Sequence, residues 1–227
     1  MNNIYSEGQV ILINKPYDWT SFDVVSRIRN LIKIKKVGHA GTLDPLATGL
    51  LILCTGKFTK KINEYMSQEK EYTGTIVLGA TTPTYDLESI PENFTDGSHI
   101  TAEQVAEAAK SFTGEILQVP PVYSAIKKNG KRAYEFARKG HEVELEPRKI
   151  KVSAFTTTLN YPEVHFNIVC STGTYIRSLA NDLGKQLGCG GYLSELCRTR
   201  IGDFTLDNSW TMEEAEMKIK ESLHQNG

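Results

Sequence analysis

Twelve residues, Gly38-His39-Ala40-Gly41-Thr42-Leu43-Asp44-Pro45-Leu46-Ala47-Thr48-Gly49, contain three glycines, a proline and two threonines, and the apolar run Leu50-Leu51-Ile52-Leu53-Cys54 follows at once. Glycine and proline at this density exclude a regular element in the first stretch, while a short unbroken apolar run reads as a buried strand. A loop is therefore anchored to a rigid interior segment. Its one carboxylate is Asp44, and the Pro45 ring turns Asp44 away from the helical region toward an extended or turn conformation. Taken alone, Asp before Pro is ordinary turn chemistry. The Gly38 to Gly41 spacing fits a GxxG nucleic-acid clamp but is too short to be specific. With no Lys-Ser or Lys-Thr closing a P-loop and no GxGxxG, the sequence argues against nucleoside triphosphate chemistry.

The charge balance bears on what this loop can meet. The formal net charge of the 227 residues is −1, which does not mark a general nucleic-acid binder, but the distribution is uneven. Arg27 to Lys61 holds eight basic residues against one acid, Asp44, whereas Asp86 to Glu115 holds seven acids against one lysine. A polyanion could dock around the loop with the acidic segment turned away. The N-terminus shows no secretory pattern and no apolar run approaches the length of a membrane span, so a cytoplasmic protein is expected. Cys54, Cys170, Cys189 and Cys197 form no CxxC pair, which argues against disulfides and zinc.

Along the chain, QVILIN at Gln9 to Asn14 predicts a strand that ends in the turn from Lys15 to Trp19. Thr20-Ser21-Phe22-Asp23 has the form of a capping box and opens a helix striped by Val24, Val25, Ile28, Leu31 and Ile32. Gly56 to Met66 reads as a short helix. Lys70 to Gly79 alternates like a half-buried strand, with Tyr72 beginning its inward face; on pattern alone Tyr72 is a core tyrosine. Thr81 to His99 reads as an exposed loop, and Thr101 caps a helix to about Phe112. Arg148 to Leu159 and Glu163 to Ser171 predict two strands that can pair through Asn160-Tyr161-Pro162. Thr174 is expected to cap a helix that Gly188 stops. In its first turn Arg177 opposes the helix dipole, which calls for a nearby anion; Asp44 is the candidate. Thr211 to Glu214 caps a last helix.

GHAGTLDPLATGLL resembles the signature of the TruB family of pseudouridine synthases, which isomerise a uridine in the T arm of tRNA. Other stretches are similar to the same family: KPxxWTSxD from Lys15, KxYxG around Tyr72, PPxYSAxKxxGxxxYxxAR from Pro120, STGTYIRSLAxDLGxxLG from Ser171, and GGYLSELCRTR from Gly190. The resemblance covers Gln9 to about Glu214. It implies an α+β pseudouridine synthase fold with a central, mainly antiparallel sheet, flanking helices and a thumb insertion at about 120–150. It also implies a single catalytic domain over 1–227, without the C-terminal PUA domain that many relatives carry.

The resemblance implies the site as well. Asp44 is the catalytic aspartate. Tyr72 lies against the target base, and His39 fills or braces the stack that the flipped base leaves. Arg177, paired with Asp44, would hold it ionised and aimed. Leu196, by position, lines the uracil pocket, and Tyr175 joins the substrate-binding set. Lys15, with Pro16, supports the floor of the site and is counted among the RNA-binding residues, although turn and cap account for that stretch equally well. Lys127, Lys128, Lys131 and Arg132 belong to the thumb over the RNA; an exposed amphipathic helix fits their composition too.

The chemistry implied needs no metal and no organic cofactor. The bond between C1′ and N1 breaks and the same ring rejoins through C5, without oxidation or hydrolysis. An aspartate ionised at neutral pH suffices as nucleophile or base. A stacked base must first be flipped out at a cost of a few kcal/mol, which an aromatic platform worth roughly 1–3 kcal/mol can offset. The expected partner is tRNA, through its T arm at uridine-55, with no membrane and no obligatory protein partner. The alternative is an RNA-guided relative, or a module that mainly binds RNA or folds tRNA.

Overall fold

Alternation makes the first strand and also places a charge inside. In β1 (Val10–Lys15) the inward positions are Ile11, Ile13 and Lys15, so the period of two that buries two isoleucines buries a lysine third. The computed structural model describes residues 4–124, 127–128, 131–132 and 145–225. After a short α1 (Ile4–Glu7) and β1 come α2 (Ser21–Ile32), β2 (Val37–His39), β3 (Thr48–Thr55), a 3-10 turn at Gly56–Lys61, α3 (Ile62–Met66) and β4 (Lys70–Leu78). The chain continues through α4 (Ala102–Ser111), β5 (Gly114–Gln118), the short β6 (Lys127–Lys128) and β7 (Lys131–Arg132), β8 (Arg148–Asn160) and β9 (Glu163–Cys170). It ends with α5 (Ile176–Gln186), β10 (Gly191–Ile201), β11 (Phe204–Thr205) and α6 (Met212–Gln225). Two units result, Met1–Tyr72 with Leu196–Gly227 and Thr73–Glu195.

The first unit is built around β3. One edge pairs antiparallel with β1, from Val10↔Cys54 to Lys15↔Gly49. The other edge is shared: β2 pairs antiparallel with it from Val37↔Thr55 to His39↔Leu53, and β10 runs parallel to it at Cys197↔Thr48 and Arg198↔Gly49. Leu51 and Leu53 pack with Val24, Val25 and Ile28 of α2 and Ala215 and Ile219 of α6, while Leu50, Ile52 and Cys54 pack with Ala40 and Ile201. β3 is thus buried on both faces, which is why its sequence is apolar without alternation. The capping box forms as expected, Thr20 Oγ1 accepting from Asp23 N and Asp23 Oδ2 accepting from Thr20 N. Thr211 and Glu214 make the same reciprocal pair at α6.

In the second unit the strand order is β4-β9-β8-β5. β8 and β9 form the expected hairpin, closing at Asn160↔Glu163, and β5 pairs antiparallel with β8. α4 lies on β8 and is capped by Thr101 with Gln104. The start of α5 differs from expectation: Tyr175 is the N-cap and gives no side-chain cap, while Thr174 Oγ1 donates to Ser171 O. The segment after β3 also splits into a 3-10 turn and a short α-helix where one helix was expected. β6 and β7 pair as a small hairpin, Lys127↔Arg132 and Lys128↔Lys131. The rest of the expected thumb, 125–126, 129–130 and 133–144, lies outside the described residues.

Candidate active site

Asp44 is half-buried in the segment that leaves β2 after His39 and enters β3 at Thr48. The backbone on both sides of it is tied down. Before it, Leu43 N donates to Ser21 Oγ (2.9 Å) and Ser21 Oγ–H returns to Leu43 O (3.2 Å). After it, Pro45 O accepts from Asp18 N (3.0 Å) and from Lys15 Nζ (3.1 Å). Ala47 N closes a turn onto Asp44 O at 3.1 Å, and Ala40 N reaches Ile52 O at 2.9 Å. Few backbone degrees of freedom remain near Asp44, so its Cα–Cβ bond leaves the segment in a fixed direction.

Lys15 is fully buried, and Nζ donates to Pro16 O (2.8 Å), Trp19 O (2.5 Å) and Pro45 O (3.1 Å). Three carbonyls satisfy all three of its N–H donors. Burial nevertheless pushes its pKa down from 10.5 to about 8, with the negative charges of Asp44, Asp18 and Asp23 pulling the other way and Arg198 adding to the depression. Desolvation wins here because neutral carbonyl dipoles replace water only in part. Lys15 is therefore a brace for the residue after Asp44, and its own charge is acted on by that of Asp44.

His39 ends β2, half-buried, and its Nδ1 has no hydrogen-bond partner among the described residues. Burial and the Arg198 charge lower its pKa, against a raising hydrogen bond with the Gly41 backbone. The ring is thus held neutral, which suits a group that stacks or fills space rather than one that carries charge. Arg198, fully buried on β10, sends Nε to Leu50 O (2.8 Å) and Nη2 to Gly41 O (3.1 Å). Leu196 is half-buried two residues earlier, and its carbonyl accepts from Thr48 Oγ1 at 3.3 Å. Tyr72, 9% exposed, is an inward residue of β4. The first unit therefore contains Lys15, His39, Asp44, Tyr72 and Leu196 of the sequence-derived set.

The second unit holds Arg177 and Tyr175. Arg177 Nη1 donates to Thr84 O (3.1 Å) and lies 3.5 Å from Asp86 Oδ2, and Nη2 donates to Tyr123 O (3.1 Å). Both members of the ion pair are buried. Within this unit Asp86, whose Oδ1 also accepts from Glu88 N, is an anion beside this cation of the first helical turn. Asp86 sits in a stretch expected to be an exposed loop, at a position where the resemblance implies tRNA contacts, yet it is buried. Tyr175 is clamped by Gln118, which accepts from Tyr175 N (2.8 Å) and donates to Tyr175 O (3.0 Å), so the start of α5 is pinned to the end of β5. Side chains of Lys127, Lys128, Lys131 and Arg132 lie outside the described residues.

Sequence reasoning passed over three residues that the geometry brings forward. Ser21 was visible only as part of a capping box, Arg198 only as one of two arginines in GGYLSELCRTR, and Asp86 only as a loop acid at a position where the resemblance implies further tRNA contacts. For Lys15 a signal existed: it continues the inward alternation of Ile11 and Ile13. No period in GYLSELCRTRI singles out Arg198. Among the described residues no group of acidic, histidine or cysteine side chains could hold a metal ion, and no helix is long and apolar enough to cross a membrane.

Comparison with known proteins gives a consistent result. A family model described as TruB family pseudouridylate synthase (N terminal domain) matches residues 29–176, and one described as tRNA pseudouridylate synthase B C-terminal domain matches 177–225. A tRNA pseudouridine synthase B from Flavobacterium johnsoniae is 52% identical over 213 residues, covering 90% of this chain and 93% of the relative. Its counterpart from Clostridium tetani is 48% identical, covering 94% of this chain and 75% of the relative. Among solved structures, a chain of a Cbf5-Nop10-Gar1 complex is 30% identical with a TM-score of 0.72, covering 92% of this chain and 53% of that one. This chain thus spans about half the length of that solved relative.

Proposed function

This chain belongs to the TruB family of pseudouridylate synthases, and from that premise we propose that it isomerises uridine to pseudouridine in the T arm of tRNA, at uridine-55, with Asp44 as the reacting carboxylate. The target nucleotide leaves its stack and enters the site; His39, a neutral half-buried ring, braces the gap, and Tyr72 and Leu196 receive the base. The carboxylate of Asp44 acts as nucleophile while the bond between C1′ and N1 breaks. The ring then turns, C5 bonds to C1′ as the bond between C1′ and Asp44 breaks and frees the carboxylate, and the C5 proton is lost as N1 gains one. Arg177 and Tyr175 complete the substrate-binding set, and Lys127, Lys128, Lys131 and Arg132 engage RNA phosphates. The enzyme works alone on tRNA in the cytoplasm, without metal or cofactor.

The observation that carries this reading is the fixation of the chain on both sides of Asp44, by Ser21 at Leu43 and by Lys15 and Asp18 at Pro45. A solvated turn has no use for a buried lysine and a buried serine spent on its carbonyls. The test is tritium release from tRNA labelled at uridine C5, using the purified chain with no guide RNA or second protein. Release from both whole tRNA and an isolated T-arm hairpin is expected. Binding without release would leave an RNA-binding module, and release only with added RNA and protein would point to a guided enzyme.

A further inference from the structure

We propose that Arg198 is a positioning residue for the isomerisation: its guanidinium closes the two ends of the Asp44 loop together, and the rate of the chemical step depends on that closure. The proposal rests on Asp44 being the reacting carboxylate.

One edge of β3 is shared between two strand partners. β2 covers this edge from Leu53 to Thr55 and β10 covers it at Thr48 and Gly49, and between these two partners the chain diverges into the loop. Arg198 fills that interval with a side chain. Nε donates to Leu50 O, just inside β3, and Nη2 donates to Gly41 O, just inside the loop. One planar group thereby joins a residue three before Asp44 to a residue six after it. A lysine presents its donors from a single point and cannot reproduce two parallel N–H groups aimed at two carbonyls.

The glycines of the loop fit this arrangement. Gly41 has φ +93°, and a Cβ there would stand 3.4 Å from Arg198 Nη1. Gly49 has φ +100°, and a Cβ there would stand 2.4 Å from Arg198 O and 2.7 Å from Arg198 N. Arg198 thus meets one glycine with its side chain and the other with its backbone. Charge supplies a further reason. Arg198 is 1% exposed and, among the described residues, forms no ion pair. An apolar side chain of similar volume would fill the interior without the desolvation of a cation. The charge is retained where it meets loop carbonyls, and it is felt by both Lys15 and His39.

Arg198→Lys and Arg198→Met, with Ile219→Ala as a control, test the proposal. Ile219 lies in α6 among the residues that pack with Leu51 and Leu53, on the face of β3 away from Leu50, and its truncation lowers Tm without touching the loop. Single-turnover rate at saturating tRNA, Kd for tRNA and Tm are measured for each. Arg198→Lys should slow the single turnover about 30- to 100-fold, the scale of an ångström-level misplacement, with Kd within about twofold of wild type. Arg198→Met should be slower still, and Ile219→Ala should stay within about threefold of wild type at a matched loss of Tm. An Arg198→Lys rate within about threefold of wild type overturns the proposal, as does an Ile219→Ala loss equal to it. Should the Arg198 variants fail to fold, Gly41→Ala strains, through its φ of +93°, the loop end that Arg198 Nη2 holds and should lower the rate at constant Kd; an unchanged rate overturns the proposal. Asp44→Asn run in parallel separates the two claims. If it keeps wild-type turnover, the functional reading has failed. If it is inactive while the Arg198 variants are fast, only the positioning role has.

Discussion

The loop that carries Asp44 and the loop that carries Asp86 are held in opposite ways. Around Asp44 the tethers come from far along the chain: Ser21 to Leu43 spans 22 residues, Lys15 to Pro45 spans 30, and Arg198 to Gly41 spans 157. Around Asp86 most are local: Thr84 with Ser89 spans five residues, Asp86 with Glu88 two, and Asn93 with Thr81 twelve. The two buried arginines differ in step. Arg198 meets only carbonyl oxygens, whereas Arg177 meets two carbonyls and the carboxylate of Asp86. A cation held by dipoles keeps much of its field, and a cation held by a carboxylate has it largely cancelled. The first arrangement ties loop backbone together, and the second fixes a guanidinium at the start of a helix.

The largest effect expected is on the acid itself. Asp44→Asn should lower turnover by about 10³-fold or more while Kd for tRNA changes within a few-fold, because the neighbours grip backbone atoms that the substitution leaves in place. Tritium release and filter binding measure both. Substantial residual turnover would remove the contrast between the two loops altogether.

Next comes the joint in the second unit. Asp86→Asn leaves a buried guanidinium short of its counter-charge, and should cost roughly 3 kcal/mol of stability by denaturant unfolding. Asp86→Asn with Arg177→Met should recover part of that loss. Strict additivity would mean that the two groups are not coupled. On activity, Arg177→Lys should cost about tenfold or more, since a fork is replaced by a point charge.

Tyr72 comes after that. Tyr72→Phe should stay within about tenfold of wild-type turnover, and Tyr72→Leu should lose about 1–3 kcal/mol more of transition-state stabilisation if the ring stacks on the base. Equal activities would return Tyr72 to the core.

The smallest effect reads the field of Lys15. Its folded pKa is about 8 against 10.5 for the free group. Below pH 8 it is charged in both states and the folded state bears the cost of burial. Between about 8 and 10.5 the unfolded chain binds the extra proton, so the contribution of Lys15 to stability rises with pH. The Tm of wild type relative to Lys15→Met should therefore rise by a few degrees from pH 7.5 to 10. A flat or falling difference would mean that three carbonyls solvate the ammonium fully, and the distinction from a compensated charge would vanish.

Periodicity and turn chemistry were sufficient for the local structure. The run Leu50 to Cys54 could only be an interior strand, the Thr20 and Thr101 boxes could only start helices, and Tyr161-Pro162 between two alternating segments could only be a hairpin end, because each rests on contacts within a few residues. The unbroken motif around Asp44 likewise named the family and the carboxylate proposed to react. Which cations serve that acid was beyond any local pattern. A helix start wants an anion, and no local pattern shows that Asp86, in a loop some ninety residues earlier, is one of the anions beside Arg177 (the Nη1 bond to Thr84 spans 93). Arg198 looked like one of two strand arginines, yet Arg200 pairs with Glu69 and Glu71 while Arg198 turns inward to Gly41 and Leu50. The difference arises because β10 enters beside β3 at Gly49, where the missing side chain lets its backbone approach and sends Arg198 into the interval that the loop leaves open. Such a choice depends on two strands about 150 residues apart meeting at one register, and only the packed fold makes it.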